Sequence, residues 1–339
     1  MPTVKTCAAN PISRRFKLRS LNAATLILIW SMFSCTTVRA PEDSGFYPGQ
    51  LRIVKAQNLS EAQRRVEARF AEYLESRTDE AIARYHAKYG KEISTDNVRE
   101  LSIDYAPGGM DAEDSASVAA RTRWGDAVHE PASALTRELY RRALMKPTAA
   151  GRRRQVVFVM GGAGVGKTTS IRKLSDLSNA VAAAEILYDT IFAGYRSALE
   201  RINQALDSGR MVSLVFVYRD PVDSFIDGML PRAKLVGRTL PLDVFVNSHV
   251  GAVETFPRIA ETFKDDRRLS FAVIDNSRGI ANAEVADVEF VRSMGRKFSP
   301  EALKKVLSRA LENAYEKGKK GDQDGISETL YRAIKSNGP

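Results

Sequence analysis

Gly161, Gly166, Lys167 and Thr168 stand in the order G-x-x-x-x-G-K-[ST], directly after the apolar run VVFVM at 156–160 and at the head of a stretch, KTTSIRKL, that reads as a helix. Each residue type at that spacing has a task in holding phosphate. Glycines let the backbone turn tightly and aim successive N–H groups inward, which makes a concave seat for an anion. The helix beginning at Lys167 adds the positive end of its dipole. The Lys167 ammonium can reach the β- and γ-phosphates of a nucleotide, and the Thr168 hydroxyl can complete the shell of a Mg²⁺ ion. The whole segment Gly161, Gly162, Ala163, Gly164, Val165, Gly166, Lys167, Thr168 and Thr169 is therefore expected to bind a nucleotide with Mg²⁺. No guanine-reading N-K-x-D occurs, which favours ATP over GTP. The loop leaves the fate of the γ-phosphate open, because motor ATPases and small-molecule kinases share it.

Such a loop needs a strand behind it and a helix in front. Strand-like runs occur at 155–160, 185–188, 211–218 and 269–274, with helical stretches such as AGYRSALERINQALDSG and FVNSHVGAVETFPRIAETFKDD between them. That alternation predicts an α/β architecture: a P-loop NTPase- or kinase-like, mostly parallel sheet covered by helices on both faces. The chain upstream has a different texture. Residues 36–57 read as a linker rich in Pro, Gly and polar residues. Ser60 can cap a helix in which Val66, Phe70, Tyr73 and Leu74 recur at helical spacing, and Thr78 opens a second that Gly90 closes. STDNVREL suggests a short third helix, and EPASALTRELYRRALMKP a fourth ending before Pro147. The expected organisation is an all-helical region at 58–150 followed by the sheet domain at 151–339, whose tail is helical and basic.

From about residue 125 onward the chain resembles the zeta-toxin family of P-loop kinases, through GGAGVGKTT, ILYDT, ALERINQALDSGRMVSLVFVYRDP, PRAKLVGRTLP and VIDNS. The upstream helices are similar to the extension of larger zeta-like proteins. The resemblance implies transfer of the γ-phosphoryl group of ATP to a hydroxyl of a small acceptor, UDP-N-acetylglucosamine or a related molecule, and an antitoxin-like protein partner. It also implies an aspartate base after the second strand and a substrate-binding motif after the third. Here only one strand, EILYD, lies between the loop helix and MVSLVFVY, so one unit of the fold is missing from that interval. Asp189 fits the base by its distance from Lys167. Counted from Gly209 and the strand after it, Asp189-Thr190 fits the substrate segment instead, and a helix-capping aspartate is a third reading. A carboxylate at a strand's C-terminal end faces the ligand crevice of an open α/β sheet, so Asp189 is the expected base. Arg232 and Arg238 in LPRAKLVGRTLP are expected to clamp the transferring phosphoryl group, Arg238 being the closer match to the family. Asp275 follows the apolar run at 271–274 and could hold Mg²⁺ through water, although DNS is equally a turn after a strand.

The whole chain, 339 residues with a formal charge of +10, suits an acidic partner. The basic residues are scattered and no zinc-finger or RNP-like pattern occurs, so no nucleic acid is expected as a partner. Both cysteines, Cys7 and Cys35, precede residue 40, which excludes a disulfide or a cysteine-ligated zinc in the body of the protein. His86, His129 and His249 lack metal-site spacing and read as surface or packing residues. SRRFKLR followed by LNAATLILIWSMF resembles a signal peptide at 1–35, and MFSC a lipobox in which Cys35 would be lipidated and attach the protein to a bacterial envelope membrane. A buried N-terminal segment, or a true start at Met32, would leave the protein cytoplasmic, where an ATP-dependent kinase would ordinarily work. Besides the kinase, two other functions fit this sequence: a nucleotide-dependent switch or ATPase without a small acceptor, and an envelope protein with a vestigial loop.

Overall fold

The computed structural model describes Leu51 and residues 53–336, all of which belong to one compact unit. The segment 1–35 with Cys35, and most of the 36–57 linker, lie outside the described residues. Among the described residues six strands form one sheet: β1 Glu92–Ile93, β2 Arg153–Met160, β3 Ala184–Asp189, β4 Met211–Tyr218, β5 Leu269–Asp275 and β6 Glu284–Ala286. They lie in the order β1-β3-β2-β4-β5-β6, and every neighbouring pair is parallel except β5 with β6.

Upstream of β2 run helices α1 Glu61–Ser76, α2 Thr78–Tyr89, α3 Thr95–Arg99, α4 Ser115–Trp124 and α5 His129–Met145. Between the strands lie α6 Lys167–Lys173, α7 Ser175–Ala183 and α8 Tyr195–Asp207; α9 Pro221–Asp223 then continues through a π-helical turn, Ser224–Met229, into α10 Leu230–Val236. Next come α11 Leu242–Thr262, α12 Val288–Met294, α13 Pro300–Lys319 and α14 Glu328–Lys335. Local chemistry starts and stops them. Ser60 and Gln63 form a reciprocal capping box on α1, and Gly90 ends α2 at positive φ. No helix among the described residues is long and apolar enough to cross a membrane.

Strand side chains alternate between two cores, as the period of a pleated strand requires. Val157, Val159, Val215 and Val217 pack with Val165 and Ile171 on the α6–α7 side. Val156, Phe158, Met160, Leu214 and Phe216 join a larger core built from α1, α2, α5, α8 and α11. The residues before and after 150 therefore share one apolar cluster. Tyr140 of α5 sets its ring 5.0 Å from Tyr188 and 5.9 Å from Phe158, edge-on to both. Buried Arg210 pairs with Glu185 at 2.9 Å and donates to the carbonyls of Leu144 and Lys146, which would otherwise be orphans at the end of α5.

The region at 58–150 is not all helix. Glu92 and Ile93 pair with Leu187 and Tyr188, so β1 forms the sheet edge beyond β3. Two neighbours hold this short strand in register. The Tyr85 hydroxyl donates to the Glu92 carbonyl and accepts from the Ser94 N–H, both at 3.0 Å. Lys91 Nζ donates to the carbonyls of Val181, Ala182 and Ala184 where α7 runs into β3. A strand from upstream of the loop thus closes the sheet edge beyond β3.

Candidate functional site

The glycine-rich loop lies where the sheet topology puts a crevice: the connection leaving β2 runs to β3 on one side, and the connection leaving its other neighbour, β4, runs to β5 in the opposite direction. Gly161, Gly164 and Gly166 take positive φ, the last with φ 81° just before Lys167 opens α6. At Gly164 both reasons for glycine apply, because φ is +76° and a Cβ would meet the Ser224 carbonyl at 2.5 Å. The π-helical turn Ser224–Met229 therefore rides on the tip of the loop, with Gly228 equally close from the other side. Beneath it, the loop is braced by buried polar groups. Asn276 Nδ2 donates to the Val165 carbonyl at 2.7 Å, and His249 Nε2–H donates to the Ala163 carbonyl at 2.8 Å. The Ala163 N–H donates to Ser248 Oγ at 3.2 Å, so that one amide of the expected cradle points into the protein. Burial, reinforced by the charge of Lys167, pushes the His249 imidazole down to about 4, which keeps it neutral with one N–H to donate. Thr168 and Thr169 are exposed at the mouth.

Lys167 Nζ lies 3.5 Å from Asp189 Oδ1 and donates to the Gly161 carbonyl at 3.4 Å. Asp189 ends β3, next to the loop strand, and its Oδ1 is buried without a hydrogen bond. Burial raises its carboxyl above the usual range; Lys167 opposes this and the nearby Asp96 charge adds to it. The adjoining Thr190 bonds back to the strand, its N–H donating to the Val159 carbonyl at 2.9 Å.

Asp96, on the first turn of α3 just beyond β1, is the residue that sequence reasoning missed. It lies 3.5 Å from Arg99 and 3.7 Å from Arg232. Burial works against its ionisation but is outweighed by Arg99, then by Arg232, Arg238 and Lys167, so its carboxyl is held well below the usual range. The charges of Lys167 and Arg232 bear on both Asp96 and Asp189. The two arginines differ from expectation in their engagement. Arg238 is mostly buried and gives its guanidinium to Glu100 at 2.7 Å and to Asp111 at 3.3 Å. Arg232 is half exposed and pairs with Asp96. Glu100, fully buried, also takes Arg121 in a forked pair with a shortest contact of 2.8 Å, and Arg121 donates on to the Ala112 and Val236 carbonyls.

The Mg²⁺ expectation rests on Thr168 more than on Asp275. Asp275 ends β5 and accepts from the Ser277 N–H at 2.9 Å in a local turn; its neighbour Asn276 is the residue that reaches the loop. No group of three or more His, Cys, Asp or Glu side chains suited to a metal occurs among the described residues. A separate cavity of about 560 Å³, lined by Asn58, Arg123, Asp126, Thr239, Pro241 and Arg332 among others, includes none of the loop residues.

Asp96 and Glu100 left little trace in the sequence. A two-residue strand has no periodicity to detect, and Ser-Thr-Asp reads first as a helix start. Compared with protein-family models and with curated proteins, the chain matches none.

Proposed function

We propose that the chain is an ATP-dependent phosphotransferase that moves the γ-phosphoryl group onto a hydroxyl of a small acceptor. The observation that carries this reading is the pairing of Lys167, at the head of α6, with Asp189 at the C-terminal end of β3 at 3.5 Å. Asp96, just beyond the neighbouring strand β1, pairs with Arg232 at 3.7 Å. Holding triphosphate needs only the loop and Lys167. Two carboxylates beside it are what hydroxyl activation and orientation require. The zeta-toxin resemblance supports a nucleotide sugar such as UDP-N-acetylglucosamine as the acceptor class. In this reading Lys167 and Arg232 balance charge spreading over the transferring oxygens, while Glu100 holds Arg238 behind them. Bound together with the nucleotide at Thr168, Mg²⁺ would neutralise phosphate charge. The ATPase-switch reading drew on the unit missing after the loop, and β1 at that edge weakens it.

The test is product formation. The full chain and its Lys167→Ala variant are incubated with ATP-Mg²⁺ and a panel of UDP-sugars and other hydroxyl compounds, and products are read by mass spectrometry. A phosphorylated acceptor made by the parent and lost in the variant is expected, with ATP affinity falling at least about tenfold as a charge-assisted phosphate contact disappears. ATP hydrolysis with no phosphorylated acceptor would favour the switch instead.

A further inference from the structure

We infer that His249 is a positioning residue for the glycine-rich loop: from α11 it fixes the backbone of Gly162 and Ala163, and with it the direction of the next amide. The inference rests on the nucleotide-binding part of the reading above. Contacts to two successive loop residues carry it. The Nε2–H of His249 donates to the Ala163 carbonyl at 2.8 Å. One residue earlier, the ring lies so close that a Cβ on Gly162 would come within 2.5 Å of its Cε1 and Nδ1. Gly162 lacks the positive φ of Gly161, Gly164 and Gly166, so the approach of the ring, rather than the turn, demands glycine there.

The same turn of α11 takes the other polar group of Ala163. Its N–H donates to Ser248 Oγ at 3.2 Å, and that hydroxyl donates in turn to the Phe245 carbonyl at 2.7 Å. The peptide joining Ala163 to Gly164 is planar and trans, so its N–H points opposite to its carbonyl. With the carbonyl held by His249, the Gly164 N–H is turned away from α11, where a phosphate oxygen can accept from it. The imidazole is itself held. It is 3% exposed and packs on Phe245 with ring centroids 4.6 Å apart, and Phe225 of the π-helical turn meets Phe245 edge-on at 5.2 Å. That packing fixes the plane of the ring, and the ring fixes the loop.

The test measures ADP-Mg²⁺ affinity by calorimetry, with a thermal melt alongside, in the full chain and two variants. His249→Leu keeps apolar bulk but leaves the Ala163 carbonyl without its donor, and ADP affinity is expected to fall about tenfold. His249→Gln brings an amide N–H to similar reach and is expected to stay within about threefold of the parent. Packing alone would give the opposite order, because leucine fills an apolar site and glutamine buries an amide in it. Equal losses in the two variants, or an affinity in His249→Leu within about threefold of the parent's, overturns the inference. Where His249→Leu does not melt cooperatively, Ser248→Ala carries the test: it is expected to weaken ADP about threefold, and parent affinity in it overturns the inference. Failure of the underlying reading looks different, since the parent itself then binds no ADP and both proposals fall together.

Discussion

At the scale of single residues, the site depends on charges held away from bulk water by specific partners. Glu100 is the clearest case, since it is fully buried and shared between Arg121 and Arg238. Two guanidinium groups around one carboxylate hold each other's desolvation in check only while all three are present. Glu100→Ala is therefore expected to destabilise the protein by about 3–5 kcal/mol in denaturant unfolding, because it leaves Arg121 charged in an apolar interior. Replacing both members of the pair, Glu100→Leu with Arg121→Met, should recover part of that loss. Full recovery of the fold without recovery of transfer would separate the support that Glu100 gives Arg238 from its contribution to stability.

The elements around the loop form a joint between chain segments far apart in sequence. The α4 helix approaches the 236–238 turn so closely that Gly237, at φ +75°, has no room for a Cβ against the Val118 carbonyl, and Thr122 Oγ1 donates to the Gly237 carbonyl at 3.1 Å. On the other face, Tyr140 and Leu135 of α5 cover Phe158 and Tyr188 of the sheet. Cutting the chain at the composition break near 150 would uncover that apolar face and leave the edge of β3 unpaired, a template for aggregation. A chain of residues 151–339 is accordingly expected to lack a cooperative thermal transition and to bind a hydrophobic dye. A monomer that melts cooperatively would show instead that the upstream helices are dispensable for folding.

For the molecule as a whole, buried His249 and half-buried His129 shape the response to acid between pH 6.5 and 4. Burial, with Lys167 adding to it, lowers His249 to about 4; burial and then Arg99, which donates to His129 Nδ1, lower His129 to about 4 as well. In the unfolded chain each titrates near 6.5. Below that pH the unfolded state binds more protons than the folded one, so stability is lost as pH falls from about 6.5 and the loss is complete near 4. Each histidine costs at most about 3 kcal/mol over that window. Melting temperature is expected to be level from pH 8 to 7 and to drop below 6.5, with a shallower drop in His129→Gln. A profile equally steep in parent and variant would rule out His129 as a source.

The strands at 153–160, 184–189, 211–218 and 269–275 were legible to within about two residues, as were the caps of α1 and α2, because continuous apolar runs, glycines at positive φ and capping side chains act through neighbours in the chain. The glycine-rich turn into α6 was legible for the same reason: its glycines, its lysine and its threonine are contiguous. Other features were settled only when distant segments met. Glu92 pairs with Leu187 across some ninety positions, and Glu100 finds Arg238 across a still longer interval. Neither leaves a period or a local motif. The amino-acid sequence by itself determined the glycine-rich turn that opens α6, through interactions between near neighbours. Tertiary structure decided which carboxylates and arginines pair near that turn, because long-range pairing energy appears only once the sheet edge has closed.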